Sequence, residues 1–112
     1  MALTLDEKNL MTDVLLNFCR ELTFSKNGTV AKGEIHIPKI VFLPERQKWA
    51  CYWSITFIKP EPDQYISGDD PLEALTRTLE MASLLLLDSG IPDLKVWWQF
   101  EGDNGGLLSV AK

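Results

Sequence analysis

The sequence predicts a single α+β domain spanning residues 1–112. An antiparallel sheet of four to six strands is expected to pack on one face against a long helix of the C-terminal half, with a further helix at the N-terminus. A chain of 112 residues fits one domain, since domains commonly take about 100–200. Several segments alternate apolar and polar residues between short turns, which is typical of antiparallel strands with one buried face. One later segment repeats leucine at helical spacing.

The first predicted element is a helix over residues 5–16. Thr4 and Glu7 have the spacing of a capping box, in which a hydroxyl and a carboxylate satisfy free N–H groups at a helix start. Apolar residues then recur at helical spacing: Leu10, Met11, Val14 and Leu15. We therefore expect a helix that precedes the sheet.

A β-hairpin is expected next, with its turn at Asn27-Gly28. From Phe18 the apolar period changes to two, and the Asn-Gly pair tolerates the positive φ angles of a tight hairpin turn. The return strand spans residues 30–43 and contains Pro38, which lacks the N–H group that a ladder hydrogen bond needs. The apolar parity changes across Pro38, so we expect a bulge there that redirects the side chains. The apolar residues on its two sides are Ile35 and Ile37, then Ile40 and Phe42.

A third strand over residues 49–58 has the clearest alternation in the chain. Tyr52 lies on its polar parity, and Pro60 and Pro62 end it. A short fourth strand is expected over residues 64–67. The other parity of the third strand is apolar and predicts a core face: Trp49, Cys51, Trp53, Ile55 and Phe57.

The long helix is predicted to begin at Asp70 and to end at Leu87. Asp70 is a typical N-cap residue, Pro71 suits the first helical position, and Glu73 places a carboxylate in the first turn. Gly90 is typical of the position just after a helix. The apolar stripe expected to face the sheet is Leu72, Leu75, Leu79, Ala82 and Leu86.

A last long strand is expected over residues 94–101, followed by a short closing strand over 107–110. The inward-facing positions of the strand over 94–101 include Trp98 and Phe100, so Trp98 is predicted to be a core residue. Trp97 lies on the outward parity. The sheet would then present Trp97 on a face that the long helix does not cover.

Acidic charge disfavours some partners and favours others. A net charge of −5 and a pI near 4.7 disfavour nucleic acid and anionic membrane surfaces. No apolar run approaches the roughly 20 residues that span a bilayer. Acidic residues stand where a signal peptide would be basic and apolar, so we expect a cytoplasmic protein. The charge is concentrated in residues 61–112, which carry 3 Lys or Arg and 10 Asp or Glu, a net charge of −7.

Residues that commonly carry catalysis are sparse, and the sequence predicts no enzyme, no cofactor and no metal site. His36 is the only histidine, and with Cys19 and Cys51 it does not supply the roughly four ligands of a zinc site. Glycine-rich phosphate loops and the GxSxG nucleophile motif are absent from the sequence. A catalytic Cys–His pair is an alternative that the sequence leaves open, since such partners are adjacent in space and not in sequence. Two reduced core cysteines are the favoured interpretation, with a disulfide between them as another.

An acidic docking surface is the functional interpretation of the C-terminal half, and simple solvation of its charges is the alternative. A negative field steers a basic protein toward this half, and a Trp or Tyr on an open sheet face is a common interface anchor. Trp97 would lose that role if the N-terminal helix or the C-terminal tail shielded it. The candidate partner-binding residues are Tyr52, Asp63, Asp69, Glu80, Trp97, Glu101 and Asp103.

The chain resembles a group of small bacterial domains of unknown function. The resemblance covers about residues 18–100 and rests on W-x-C-x-W-x-I at residues 49–55 and on G-D-D-P-L-E-A-L at residues 68–75. Such domains are similar in character to the immunity proteins of bacterial toxin systems, including contact-dependent growth inhibition. The resemblance implies an inhibitor that binds and neutralises a cognate toxin. A toxin that degrades nucleic acid is commonly basic, because it must hold phosphate.

Two other functions stay open at this point. A secretion chaperone is also a small acidic α+β protein, but it dimerises and wraps an extended segment of its cargo. A metal-dependent hydrolase would use carboxylates such as Asp69 and Asp70. This last function is less favoured, because adjacent side chains on a strand point to different sides and Asp70 is explained as a helix cap.

Overall fold

The computed structural model of the chain describes residues 13–103 and 105–107. Within them it contains one five-stranded antiparallel sheet and one helix, so the predicted α+β class is confirmed. The elements are β1 (Asp13–Lys26), β2 (Thr29–Leu43), β3 (Lys48–Ile55), β4 (Tyr65–Gly68), α1 (Pro71–Leu87) and β5 (Leu94–Trp97). The strand order is β4-β3-β2-β1-β5, and every neighbouring pair is antiparallel.

The β1–β2 hairpin forms as predicted. Asn27 and Gly28 have φ angles of 52° and 82°, the positive values that a two-residue hairpin turn of this kind requires. Lys26 lies opposite Thr29, and the pairing then continues in one register down both strands as far as Phe18. The turn therefore determines which residues of β1 and β2 face each other.

A register shift in β2 confirms the bulge expected at Pro38. The pairing of β2 with β3 shifts between His36 and Lys39. Ile37 and Ile40 are both buried although they are three positions apart, because the inserted residue changes the parity of the strand. The bulge thus keeps both halves of a long strand in contact with one core.

The two elements predicted at the chain ends are not confirmed. Residues 1–12 of the predicted N-terminal helix lie outside the described residues, and residues 13–16 belong to β1, where 13–15 pair with the end of β2. Strand β2 runs past the part of β1 that the alternation predicted, so its backbone groups take these residues as partners. This pairing overrides their local helical spacing. Leu107 is in no strand, and residues 108–110 lie outside the described residues.

Strands β3 and β5 both end earlier than predicted. The chain leaves β3 after Ile55 and turns through Phe57, whose φ is 71° and whose side chain is half exposed instead of buried. Strand β5 ends at Trp97, and neither Trp98 nor Phe100 is in the core. The backbone N–H groups that follow Trp97 bond to a side chain instead of to a neighbouring strand.

Helix α1 begins as predicted. Asp70 Oδ1 accepts a hydrogen bond from the Glu73 backbone N–H at 2.7 Å, and Glu73 Oε1 accepts one from the Asp69 N–H at 2.7 Å. Leu72 was expected on the inner stripe, but it is 70% exposed, because a residue two positions before Ala74 lies on the far side of a helix. Among the described residues, no helix is long and apolar enough to cross a membrane. The buried residues of α1 are Ala74, Thr78, Ala82, Ser83 and Leu86.

The helix packs mainly on β4 and β3, and the backbone of its first turns lies close to Gly68. A Cβ atom at Gly68 would lie 2.9 Å from the Cα of Ala74. Trp53 and Cys51 are buried beneath the helix in the same core cluster, and Trp49 packs against it partly buried. The missing side chain at Gly68 therefore sets the distance between helix and sheet.

We predict that Gly68→Ala lowers the free energy of unfolding by about 1–3 kcal/mol, because helix backbone must move to admit the methyl group. Urea denaturation followed by tryptophan fluorescence measures the change. Ser67→Ala, one residue earlier in β4, is the matched control and should stay within about 0.5 kcal/mol of the unaltered protein. Equal stability of the two variants would contradict this account of helix packing.

Candidate functional site

Asp103 organises the loop that follows β5. Its carboxylate accepts hydrogen bonds from the backbone N–H groups of Trp98 at 2.8 Å, Gln99 at 2.7 Å, Phe100 at 3.1 Å and Gly105 at 3.1 Å. Burial by itself would raise the pKa of Asp103, but the four N–H groups together hold that pKa below its usual value. Asp103, predicted as a partner-binding residue, thus has a structural task in its own loop.

Arg20 fastens the same loop to the sheet. Its guanidinium donates hydrogen bonds to the carbonyl oxygens of Gly105 at 3.1 Å and Gly106 at 3.0 Å, and it lies 3.6 Å from the centroid of a Trp98 ring. Gly105 is buried against Leu86, with no room for a Cβ atom. Trp98 therefore stacks beneath a charged side chain at the edge of the core.

Two more predicted site residues are held in ion pairs. Asp69 pairs with Lys48, and the hydrogen bond from Lys48 holds the pKa of Asp69 below its usual value. Glu101 lies 3.8 Å from Lys95. Lys48 is about half exposed and the other three side chains are largely exposed, so each pair contributes little stability. The pairs nonetheless reduce the negative charge that these two carboxylates present to a partner.

The remaining predicted carboxylates, Asp63 and Glu80, are exposed and have no hydrogen bond or ion pair with any described residue. Glu61 and Asp93 share this property. The two cations among residues 61–107, Arg77 and Lys95, are both in ion pairs. The charge left unpaired in this part of the described chain is therefore negative throughout.

The structure does not bring Tyr52 and Trp97 into one patch. Both lie on the sheet face opposite α1, where the ring of Tyr52 is 5.3 Å from that of Tyr65 and carries Lys39 Nζ at 4.8 Å. Trp97 is half-buried opposite Thr23, near the other end of β1. The strand rise of about 3.4 Å per residue separates the two aromatic residues by roughly 25 Å along the sheet. A single small partner segment cannot contact both.

Sequence reasoning missed a polar cluster on this open face. Cys19 lies opposite His36 in the hairpin, and its Sγ donates a hydrogen bond to Glu34 Oε2 at 2.7 Å. His36 Nε2 is 3.1 Å from Asn17 Oδ1. The turn at residues 27–28 alone implies the pairing of 19 with 36, because a two-residue hairpin numbers its partners outward from the turn. The register was thus available from the sequence.

The environment of Cys19 is unfavourable for a nucleophile. The hydrogen bond to Glu34, with desolvation and the charges of Glu34 and Glu21, raises the pKa of Cys19 to about 11. A reactive cysteine needs the thiolate, so Glu34 acts against the Cys–His alternative. Cys51 lies on the opposite, buried face of β3, and both thiols are free. Among the described residues, no group of three or more His, Cys, Asp or Glu side chains is arranged to hold a metal ion.

The comparisons with known proteins give a family but no activity. The family model described as "Domain of unknown function (DUF6968)" matches residues 18–108, which is most of the chain. The chain therefore belongs to this family. No curated protein and no solved structure matches the chain.

We predict that Glu34→Gln makes the Cys19 thiol react about ten times faster with iodoacetamide at mildly alkaline pH, because losing the carboxylate lowers the thiol pKa. Mass spectrometry of the folded protein measures the modification, and the buried Cys51 serves as an internal reference. Glu61→Gln is the matched control and should leave the rate unchanged. An unaltered rate in Glu34→Gln would show that Glu34 does not hold the proton.

We predict that Asp103→Asn makes stability less dependent on acid pH. The folded-state pKa of Asp103 is below its usual value of 3.8, so its contribution is present above that value and is lost as the pH falls through the folded pKa. The variant should be less stable at neutral pH and lose less on acidification. Urea midpoints between about pH 2 and pH 6 measure this. Asp63→Asn, at a carboxylate without a described partner, should keep the pH profile of the unaltered protein.

Proposed function

For a member of a family of unknown function, we propose an immunity role: the chain binds and neutralises a basic protein toxin in the cytoplasm. One observation carries the proposal. In the described part of residues 61–107 both cations are paired, whereas Glu61, Asp63, Glu80 and Asp93 are not. This segment therefore contributes unpaired negative charge to the surface.

Electrostatic complementarity supports a basic protein as the partner. A negative surface raises the association rate with a positively charged protein and suppresses association with acidic ones. A toxin that cleaves nucleic acid needs clustered Lys and Arg to hold phosphate. An acidic inhibitor that covers this cluster would keep substrate out. The inhibition we propose is binding alone, with no bond made or broken by the inhibitor.

Carboxylates without a partner in the chain and carboxylates bound within the chain have different roles in this proposal. Asp63 lies in the turn between β3 and β4, and Glu80 on the outer side of α1, where both face solvent. We propose that they contact the toxin. Asp69 and Glu101 are in exposed ion pairs and Asp103 binds the backbone of its own loop, so we propose that these three residues contribute less to the interface.

A secretion chaperone is the second candidate, and an open strand edge favours it. Strand β5 pairs with β1 only from Thr23 to Lys26, so the outer edge of β1 from residue 13 to residue 22 has no strand partner among the described residues. Such an edge can accept an extended peptide as an added strand. A chaperone of this kind dimerises, so a monomer in analytical ultracentrifugation would count against it.

The test is co-expression with the protein encoded by the neighbouring reading frame. The immunity role requires that the chain forms a stable complex with that protein in a pull-down and restores growth to cells that produce it. The toxin alone and the toxin with an unrelated acidic protein of similar size are the controls. Absence of both complex and rescue would refute the proposal.

We predict that the double variant Asp63→Lys, Glu80→Lys associates about tenfold more slowly with this toxin at low salt, because it reverses two charges that face solvent. The difference should shrink at high salt, where the charges are screened. Stopped-flow or surface-plasmon measurements at two ionic strengths give the rates. Glu45→Lys, an exposed carboxylate in the turn between β2 and β3, is the single-site control; a similar slowing there would mean that only net charge matters.

A further inference from the structure

We infer that the outer side of α1 binds a segment of the partner protein that carries both an apolar and a basic side chain. This surface, the α1 outer face, consists of Met81, Leu84 and Leu87 with the flanking carboxylates Glu80 and Asp88. The inference rests on the proposed function and specifies where the partner binds and what it presents. The partner segment would carry an apolar side chain with Lys or Arg beside it.

Three apolar side chains are exposed together on this side of the helix. Met81 is 43% exposed, Leu84 56% and Leu87 49%. Positions three or four apart in a helix are neighbours on its surface, so Leu84 lies between the other two and next to Glu80. The helix does not need these side chains for its own packing, since its opposite side already provides the contacts with the sheet. They form an apolar patch with an acidic rim.

The negative charge of Asp88 lies at the negative end of the helix dipole, where it is unfavourable. The C-terminal end of a helix carries partial negative charge, which Lys or Arg in the last turn normally offsets. Helix α1 has no basic residue in its last turn, and Asp88 occupies its C-cap. Asp88 Oδ1 accepts a hydrogen bond from the Gly90 N–H at 3.3 Å, but its negative charge does not offset the helix dipole. The arrangement therefore favours a cation supplied from outside. A Lys or Arg of the partner placed here would meet both the helix end and the carboxylate.

The same charges select among possible occupants. A second copy that presented its own α1 would bring like charge to the surface, since α1 has a single cation, Arg77, and it is paired with Glu73. Anionic lipid and nucleic acid would also be repelled. A cationic protein segment is attracted, and an apolar side chain on it would be desolvated between Leu84 and Leu87. A few desolvated anchor side chains, most often aromatic residues and arginine, contribute most of the affinity at protein interfaces.

The experiment compares truncations of exposed apolar side chains at the two ends of one helix. Leu84→Ala and Leu87→Ala remove the patch, and Leu72→Ala is the matched control, because Leu72 is also exposed but lies at the other end of α1. The full-length chain is titrated with the toxin domain identified by co-expression. We expect the dissociation constant to rise about tenfold or more in each patch variant, mainly through faster dissociation, and to change less than twofold in the control. Urea midpoints check that every variant is folded.

Each outcome decides one point. If the unaltered chain binds the toxin and Leu84→Ala binds as tightly, the α1 outer face is not the docking surface, although the proposed function stands. If the unaltered chain does not bind, the proposed function fails and this inference fails with it. Concentration-dependent dimerisation that Leu84→Ala abolishes would instead assign the surface to self-association. Binding to phosphatidylglycerol vesicles that the same variant loses would assign it to a membrane.

Discussion

The sheet is wider than the helix, so the fold depends on a loop that covers the part of the core face that the helix does not. Five strands at about 4.8 Å spacing are roughly 20 Å across, whereas a helix with its side chains is about 10 Å wide. Helix α1 covers chiefly β4 and β3. The loop after β5 covers the β1 side, and Arg20 and Asp103 hold it there through backbone groups. Without this loop, Leu22 and Leu86 would lose part of their cover.

The hydrogen bonds that hold the loop and the helix in place also determine which charged side chains are free to contact a partner. Asp103 and Arg20 serve the loop, and Asp70 and Glu73 serve the start of α1. Such groups are satisfied within the chain, and replacing them changes the fold before it changes any interface. Asp63 in the turn between β3 and β4 and Glu80 on the outer side of α1 have no such task among the described residues. The surface that we propose for a basic partner therefore consists of side chains that have no structural task in the fold.

The open sheet face shows the opposite case, in which a carboxylate disfavours the reactive form of a neighbouring thiol. Antiparallel pairing places Cys19 beside His36, two residue types that cooperate in many hydrolases. Glu34 accepts a hydrogen bond from the thiol and raises its pKa to about 11, which disfavours the thiolate on which such chemistry depends. Proximity alone thus assigns no activity, because the pKa of the nucleophile depends on every neighbouring charge.

The sequence by itself determined the features that neighbouring residues control: the Asn27-Gly28 turn, the bulge at Pro38 and the cap at Asp70. Each follows from backbone sterics or from hydrogen bonds only a few residues long, which alternation and turn chemistry report directly. Tertiary structure alone decided that residues 13–16 join β1, that Trp98 lies beneath Arg20, and that some carboxylates are paired while others are not. Arg20 and Gly105 are 85 positions apart, and no local pattern encodes a contact over that distance. Such contacts exist only once the sheet has brought its distant strands together.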